Sequence, residues 1–394
     1  MRVNIGSRFA AAALGLGLLP GACSLPPLPS SSGFLEAYLN HPGRTLKDTV
    51  HLLERKSGGE RRKALETILR GLGVRYEVQR YQAAPDATGS DEGANLFFDL
   101  GGGAKTLIVS AHHDAVPGSP GANDDASCVS AILDASARLR RTPPANLKVR
   151  FILFDDEESG LKGSKEYVRA HDLKNVLAMF SLELCGIGDA AAVWESEETE
   201  RKTPAIRTLL QTLEENNVAH LVEGDIPKFG SDHESFREAG IPALALSIFP
   251  KKEESILREF IFNPGSPKWA DRGNWPSIFR HYHTPNDTAD RLREGAMALM
   301  SEIIYRTVLG LSQTLKKSKQ VVSGGAANPE ARPWGRAQSL RDLPDPSPAQ
   351  SPPLPPRAVR PPGERWPGPG PGSGTGSGAR GAPPGRRPHP GRRP

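Results

Sequence analysis

Cysteine is scarce. Of three in 394 residues, Cys23 falls in a leader segment, and the two that remain, Cys128 and Cys185, are too few for the disulfide framework on which small secreted domains rely. Stability then has to come from a core, and the roughly 280 residues left once both ends are set aside suffice for one. The long apolar run Phe9 to Leu19 is shorter than the roughly 20 residues a bilayer-spanning helix needs. From Ser323 to Pro394 apolar periodicity is missing, and Pro, Gly, Ser and Arg take over. Such a segment cannot bury enough to offset its ordering entropy and is expected to be disordered. It also lacks lysine: residues 324 to 394 carry 11 arginines against 4 acids, a net of +7, whereas the whole chain carries +5, so the other 323 residues net −2. The basic balance therefore belongs to the tail and gives no support to nucleic-acid binding by the folded part. Deleting 324 to 394 is expected to leave activity and melting temperature nearly unchanged; a large fall in the melt would show that the tail docks.

At the other end, Arg2 and Arg8 precede the Phe9 to Leu19 run, which is followed by Gly21, Ala22 and Cys23. This is the pattern of a secretory signal, and the ending resembles a lipoprotein signal with Cys23 as the lipidated residue, although Pro20 stands where Leu is usual. Lipid anchoring at Cys23 and plain cleavage with release are both open. The expected organisation is a signal peptide over 1–22, a tether with a first helix over 23–43, one catalytic domain over 44–316 and a Pro/Gly/Arg-rich tail over 317–394. The protein is expected to be exported, as a periplasmic or outer-membrane lipoprotein or in secreted form.

Within the folded part, apolar residues at helical spacing (Leu52, Leu53, Leu65, Ile68, Leu69) predict amphipathic helices between 33 and 73. Strand-like stretches follow at 74–81 and 94–100. Strands at 105–111, 147–154, 176–184 and 242–248 then alternate with helices at 124–140, 161–171, 203–216, 232–239 and 288–313. Alternation of this kind implies an α/β fold: a three-layer sandwich with a mostly parallel mixed central sheet and helices on both faces. Between 249 and 280 periodicity fails but aromatics collect, Phe260, Trp269 and Trp275 among them. That stretch is expected to line a specificity pocket.

Chemistry gathers at expected strand ends, where open α/β sheets bind ligands. His112 and Asp114 leave the strand 105–111 on one face, and Asp124 and Asp125 sit where the next helix begins. The strand 147–154 runs into Asp155, Asp156, Glu157 and Glu158. Taken alone, such a run is a solvated acidic loop, but at a ligand-binding edge its charges would repel unless a cation sat among them. Glu183 lies near the end of a strand that should be buried on both faces, where a carboxylate is costly unless paired or metal-bound. With Glu183 alone, a structural ion pair would be the better account. His283, in a turn, would alone be a cap. Together His112, Asp124, Glu158, Glu183 and His283 make two imidazoles and three carboxylates, the donor mix of a two-zinc hydrolase. Their spacings of 12, 34, 25 and 100 residues put them on separate elements, unlike a small structural zinc module.

Four ordered motifs carry a resemblance over about 44 to 316: HHD at 112–114, GANDDAS at 121–127, FDDEESGLKGS at 154–164 and HYHTPNDT at 281–288. They resemble the co-catalytic zinc aminopeptidase family, in the superfamily that also holds glutamate carboxypeptidase and the glutaminyl cyclases. The resemblance implies two zinc ions per chain and peptide or protein N-termini as substrate. It makes His112 and Glu183 terminal ligands, Asp124 the bridge, and Glu158 and His283 the completing ligands. Glu157 would be the general base and Tyr282 a donor to the developing oxyanion. Asp114 would orient His112, Asp125 would stand behind the ligands, and the Asp124–Asp125 peptide would be cis. Two positions depart from the family pattern: Glu183 stands where Asp is usual, and Cys128 replaces a usual Gly. His113 is expected to be a wall residue, and Ser231 with Glu234 to form a capping box. Cys128 and Cys185 are expected to be buried near neighbours, unpaired. A glutaminyl-cyclase-like acyltransferase with one zinc, or a non-catalytic binding protein, are the alternative functions, and the oligomeric state is not readable.

Overall fold

The computed structural model describes residues 45–83, 92–194, 198–224, 226 and 230–324. These all fall in the compact unit Met1–Pro329; the second unit, Glu330–Pro394, holds none of them. The signal peptide, the tether and the tail beyond 324 lie outside the described residues. Among the described residues no helix is long and apolar enough to cross a membrane.

Two capping boxes open the described residues. Thr45 and Asp48 open α1 (Leu46–Leu53), and Ser57 and Glu60 open α2 (Gly58–Gly71), each side chain taking a backbone N–H of the other residue. The remaining elements, in order, are β1 (Glu77–Gln82), β2 (Glu92–Gly101), β3 (Thr106–His112), α3 (Ser127–Arg141), β4 (Lys148–Phe154), α4 (Lys162–Ala170), β5 (Val176–Leu182), β6 (Ala190–Trp194), α5 (Pro204–Glu215), β7 (His220–Val222), α6 (His233–Glu238), β8 (Ala243–Phe249), α7 (Glu254–Phe262), α8 (Ser277–Arg280) and α9 (Glu294–Gly324).

The eight strands form one sheet in the order β1-β2-β4-β3-β5-β8-β6-β7. Its centre, β4-β3-β5-β8, is parallel, while β1-β2, β2-β4 and β6-β8 pair antiparallel. Alternation along β3 divides the core. Leu107, Val109 and Ala111 join Ile132 of α3 and Met297, Met300 and Ile304 of α9 on one face. Ile108 joins Tyr167 of α4 and Phe236 of α6 on the other. The result is the expected mixed three-layer α/β sandwich.

Differences from the sequence reading have local causes. The helix expected from 124 starts at Ser127, because Asp124 (φ −114°, ψ 88°) and Asp125 (φ −131°, ψ 26°) hold non-helical backbone. The long helix begins at Glu294, after one tight turn at Ala289–Arg291, and runs on to Gly324, past the tail boundary expected at 317. The 249–280 stretch contains a helix, α7. Phe260 and Trp269 are buried in a cluster with Phe279 and Ile278, and both indoles spend their N–H groups locally, Trp269 on the Asn263 carbonyl and Trp275 on that of Trp269. Phe260 and Trp269 are core residues. Trp269→Ala is expected to cost about 3 to 5 kcal/mol, read as a lower urea midpoint; an unchanged midpoint would contradict this packing.

Cys128 and Cys185 are buried neighbours as expected, but they are bonded, with Cα atoms 5.3 Å apart. This corrects the expectation of free thiols: too few cysteines for a framework still make one crosslink when a helix start and a strand end meet. Closing a separation of 57 residues should be worth about 4 kcal/mol by chain entropy. The double variant Cys128→Ser, Cys185→Ser should show that loss in urea unfolding, and a change under about 1 kcal/mol would contradict it.

Candidate metal centre

Five ligand candidates converge at the C-terminal edge of the parallel strands. His112 ends β3, and its Nδ1 lies 3.2 Å from Asp114 Oδ1. A carboxylate can only accept, so Nδ1 donates to Asp114 and Nε2 to Asp124; burial would lower the imidazole, but these two partners hold it well above its ordinary value, and a cation facing Nε2 would have to displace that proton. That Nε2 stands 3.1 Å from Asp124 Oδ1 and 3.8 Å from Glu183 Oε2. On the opposite side, His283 Nε2 lies 3.1 Å from Asp124 Oδ2 and 3.0 Å from Glu158 Oε2. The Asp124 carboxylate therefore sits between two donor groups, His112 with Glu183 on Oδ1 and His283 with Glu158 on Oδ2. Donor atoms of His112, Asp124 and Glu158 lie within 4.8 Å of one another, as do those of His112, Asp125 and Glu183. Nitrogen and carboxylate oxygen in this mix suit zinc.

The carboxylates divide their oxygens between scaffold and centre. Glu183 Oε1 accepts from Ser231, which also meets the Ser181 hydroxyl at 3.1 Å, leaving Oε2 towards His112. This corrects the capping box expected at 231–234: Ser231 is spent on Glu183, and Asp232 precedes α6 without a side-chain cap. Asp114 also accepts the backbone N–H of Glu157 (3.2 Å) and of Glu158 (3.1 Å), so one buried carboxylate fixes the β3 histidine and the β4 loop together. Within that loop the four acids part company. Asp155 turns to the Ala94 N–H at 3.0 Å and Asp156 faces Tyr81, while Glu157 and Glu158 face the centre. Asp125 accepts the His112 N–H at 3.2 Å, and the Asp124–Asp125 peptide is cis. His113 is a wall residue, its Nε2 donating to the Ala94 carbonyl at 3.1 Å. Tyr282 stacks on the His283 ring, centroids 3.6 Å apart. Asp156, Leu184 and His283, none of them glycine, adopt left-handed backbone beside these groups, a concentration typical of functional sites.

Electrostatically the centre is short of positive charge. Burial and the Asp124 charge push Glu158 up to about 7, and burial holds Glu183 up at about 8. Burial also raises Glu157 well above the carboxylate range, with Glu183 and Glu158 adding repulsion. Burial would lift Asp124 too, but its two imidazole neighbours hold it below its ordinary value. Burial pulls His283 down, yet Asp124 and Glu158 raise it to about 9. The Tyr282 phenol is driven well above its usual range by burial and then by the carboxylates. Bound cations invert this logic by favouring every ionised carboxylate.

Two residues that support the site escaped sequence reasoning. Asp287 accepts the N–H groups of Asn123 (2.8 Å) and Asp124 (3.2 Å); it lies inside the HYHTPNDT motif but reads as a turn residue. Arg61, on α2, donates to carbonyls of the loop that follows His112. Its signal was helical phase: Arg61 shares a face with Leu65 and Ile68.

The profile of Peptidase family M28 matches residues 95–308, more than half of the chain. The chain belongs to peptidase family M28. Of curated M28-like relatives, Aminopeptidase YwaD of Bacillus subtilis is 29% identical over 232 residues, 55% of this chain and 43% of that protein. The Probable lipoprotein aminopeptidase LpqL of Mycobacterium tuberculosis is 27% identical over 213 residues, 50% of this chain and 41% of that one. The matched part thus spans less than half the length of these relatives. A solved glutaminyl cyclase from an Acidobacteriales bacterium shares the fold at TM-score 0.51 and 16% identity, over 76% of this M28 chain and 100% of its own.

Proposed function

We propose that this M28 chain is an exported zinc-dependent aminopeptidase that takes two ions at His112, Glu183, Asp124, His283 and Glu158 and cleaves the N-terminal peptide bond of peptides or proteins. The observation that carries this reading is the Asp124 carboxylate, with one oxygen 3.1 Å from His112 Nε2 and the other 3.1 Å from His283 Nε2. Two ions sharing one bridging carboxylate call for that arrangement, and a second complete donor pair is more than a one-zinc cyclase uses. All five ligand positions are filled, which speaks against a non-catalytic binding protein. Export is supported by the leader pattern and by the Cys128–Cys185 bond, since structural disulfides persist in oxidising compartments. The catalytic domain is assigned to 44–316, with lipid attachment at Cys23 as one of the two routes after export.

When bound there, zinc supplies Lewis acidity and makes a water more acidic. The chain's own groups do the rest. Glu157, facing His112, Glu183 and Glu158 without a ligand role, takes the proton from the attacking water and passes it to the leaving amine. Tyr282 donates its hydroxyl to the carbonyl oxygen as negative charge grows there. Asp114 accepts from Nδ1 and so orients His112 with Nε2 as the nitrogen that a zinc ion would take once its proton is displaced, and Asp125 supports the same strand end through the His112 N–H.

Zinc content of the purified protein together with a panel of aminoacyl anilides tests the reading; two ions and hydrolysis are expected, and a metal-free, inactive protein would contradict it. The protonation of the centre adds a pH dependence. Glu158 at about 7, Glu183 at about 8 and His283 at about 9 hold protons that zinc must displace, so affinity should weaken as pH falls from 8.5 to 6. Zinc-buffered titrations at both ends of that range measure it, and equal affinities would contradict it.

A further inference from the structure

Arg61 is an arginine at an apolar position. It sits in the second turn's approach of α2, 1% exposed, on the face that carries Leu65 and Ile68. A guanidinium there is costly unless its donors are used; Nε has no partner, but both terminal nitrogens are used, and in an unusual way. Nη1 donates to the carbonyls of His113 and Asp114, both at 3.3 Å, and Nη2 to those of Pro120 (2.5 Å) and Gly121 (3.0 Å). These four carbonyls belong to the two ends of one loop. Its first end follows His112 directly, and its second leads through Ala122 and Asn123 into Asp124. The planar fork of one arginine thus ties together the backbone that presents two of the ligands, a task that a lysine, whose three donors radiate from one nitrogen, cannot duplicate.

The surroundings agree with this placement. Burial lowers the guanidinium's pKa, and the carboxylates that act against this are Asp114, Asp124, Asp287 and Asp125, so Arg61 lies among the carboxylates behind the centre. Gly121 holds φ +61°, and a Cβ there would stand 2.3 Å from Arg61 Nη2 and 2.8 Å from the Asp124 carbonyl. The guanidinium occupies the space that a side chain at 121 would need.

We propose that Arg61 is a positioning residue of the metal centre: by clamping both ends of the 113–121 loop it sets the separation of His112 from Asp124 on which zinc binding depends. The proposal rests on the zinc reading above. Residues behind the ligands of metal sites typically change affinity by about 10 to 100-fold when replaced.

The test compares wild type, Arg61→Lys, Arg61→Met and Gly121→Ala by two measurements: zinc affinity from competition with a chelating dye, and urea unfolding of the metal-free proteins. Affinity is expected to fall about 10 to 100-fold in Arg61→Met and Gly121→Ala, and less in Arg61→Lys, which keeps the charge and loses the fork. The fall should persist in the variants whose metal-free midpoint stays within the folded range, because a merely structural arginine would lower the midpoint and leave the affinity of the folded protein alone. Should Arg61→Met not fold, Arg61→Lys and Gly121→Ala decide the question. If wild type binds zinc and those two bind it within twofold, the proposal is overturned. If wild type itself binds no zinc, the metal reading fails first and takes the proposal with it.

Discussion

Glu157→Gln is expected to keep its zinc and lose about 10² to 10⁴-fold in kcat. The side chain keeps its length and shape, and the backbone N–H of residue 157 still donates to Asp114 Oδ1 at 3.2 Å, so the loop that presents Glu158 should not move. What disappears is a base. Burial raises Glu157 well above the ordinary carboxylate range, with Glu183 and Glu158 adding repulsion, so its carboxylate favours holding a proton, as a general base must. Zinc content by atomic absorption should equal that of wild type. A variant that loses metal with activity would make Glu157 a ligand and reverse the division of labour between the two glutamates.

Asp124→Asn should abolish zinc binding and with it measurable turnover. The carboxylate lies 3.1 Å from an imidazole nitrogen through each oxygen; an amide would keep one acceptor and aim N–H donors at the other imidazole. Metal ligands must be free of protons and carry lone pairs, so one half of the centre would face a donor in place of a ligand. Glu158→Gln should be milder in metal content, because His112, Glu183 and Asp124 Oδ1 remain intact while the His283 side loses its partner. Retention of full zinc content by Asp124→Asn would remove the bridge from the account.

Much of this was legible in the chain itself, for reasons that differ residue by residue. Strands β3 and β8 are buried along their whole length, so continuous apolar runs announced them. β6 escaped because AAAVW is short and alanine-rich, and β7 because three residues carry no period. His112, Asp124, Glu158, Glu183 and His283 stood out because carboxylates and imidazoles at expected strand ends have few uses, and the ordered motifs joined them across 171 residues of chain. Arg61 hid among Glu60, Arg62 and Lys63, where charge usually means a solvated face. Ser231 hid behind a helix-start signature that tertiary structure overrode for Glu183. The pairing of Cys128 with Cys185 was missed, free thiols being expected, because only the fold sets the start of α3 against the residues after β5.

The most direct test of the central claim offers the zinc-loaded protein a peptide with N-terminal glutamine and reads the products by mass spectrometry. Two-zinc aminopeptidase chemistry predicts free glutamine and a peptide shortened by one residue. A peptide of unchanged length that has lost ammonia, formed faster than any aminoacyl bond is cleaved, would contradict the account and make the protein a cyclase.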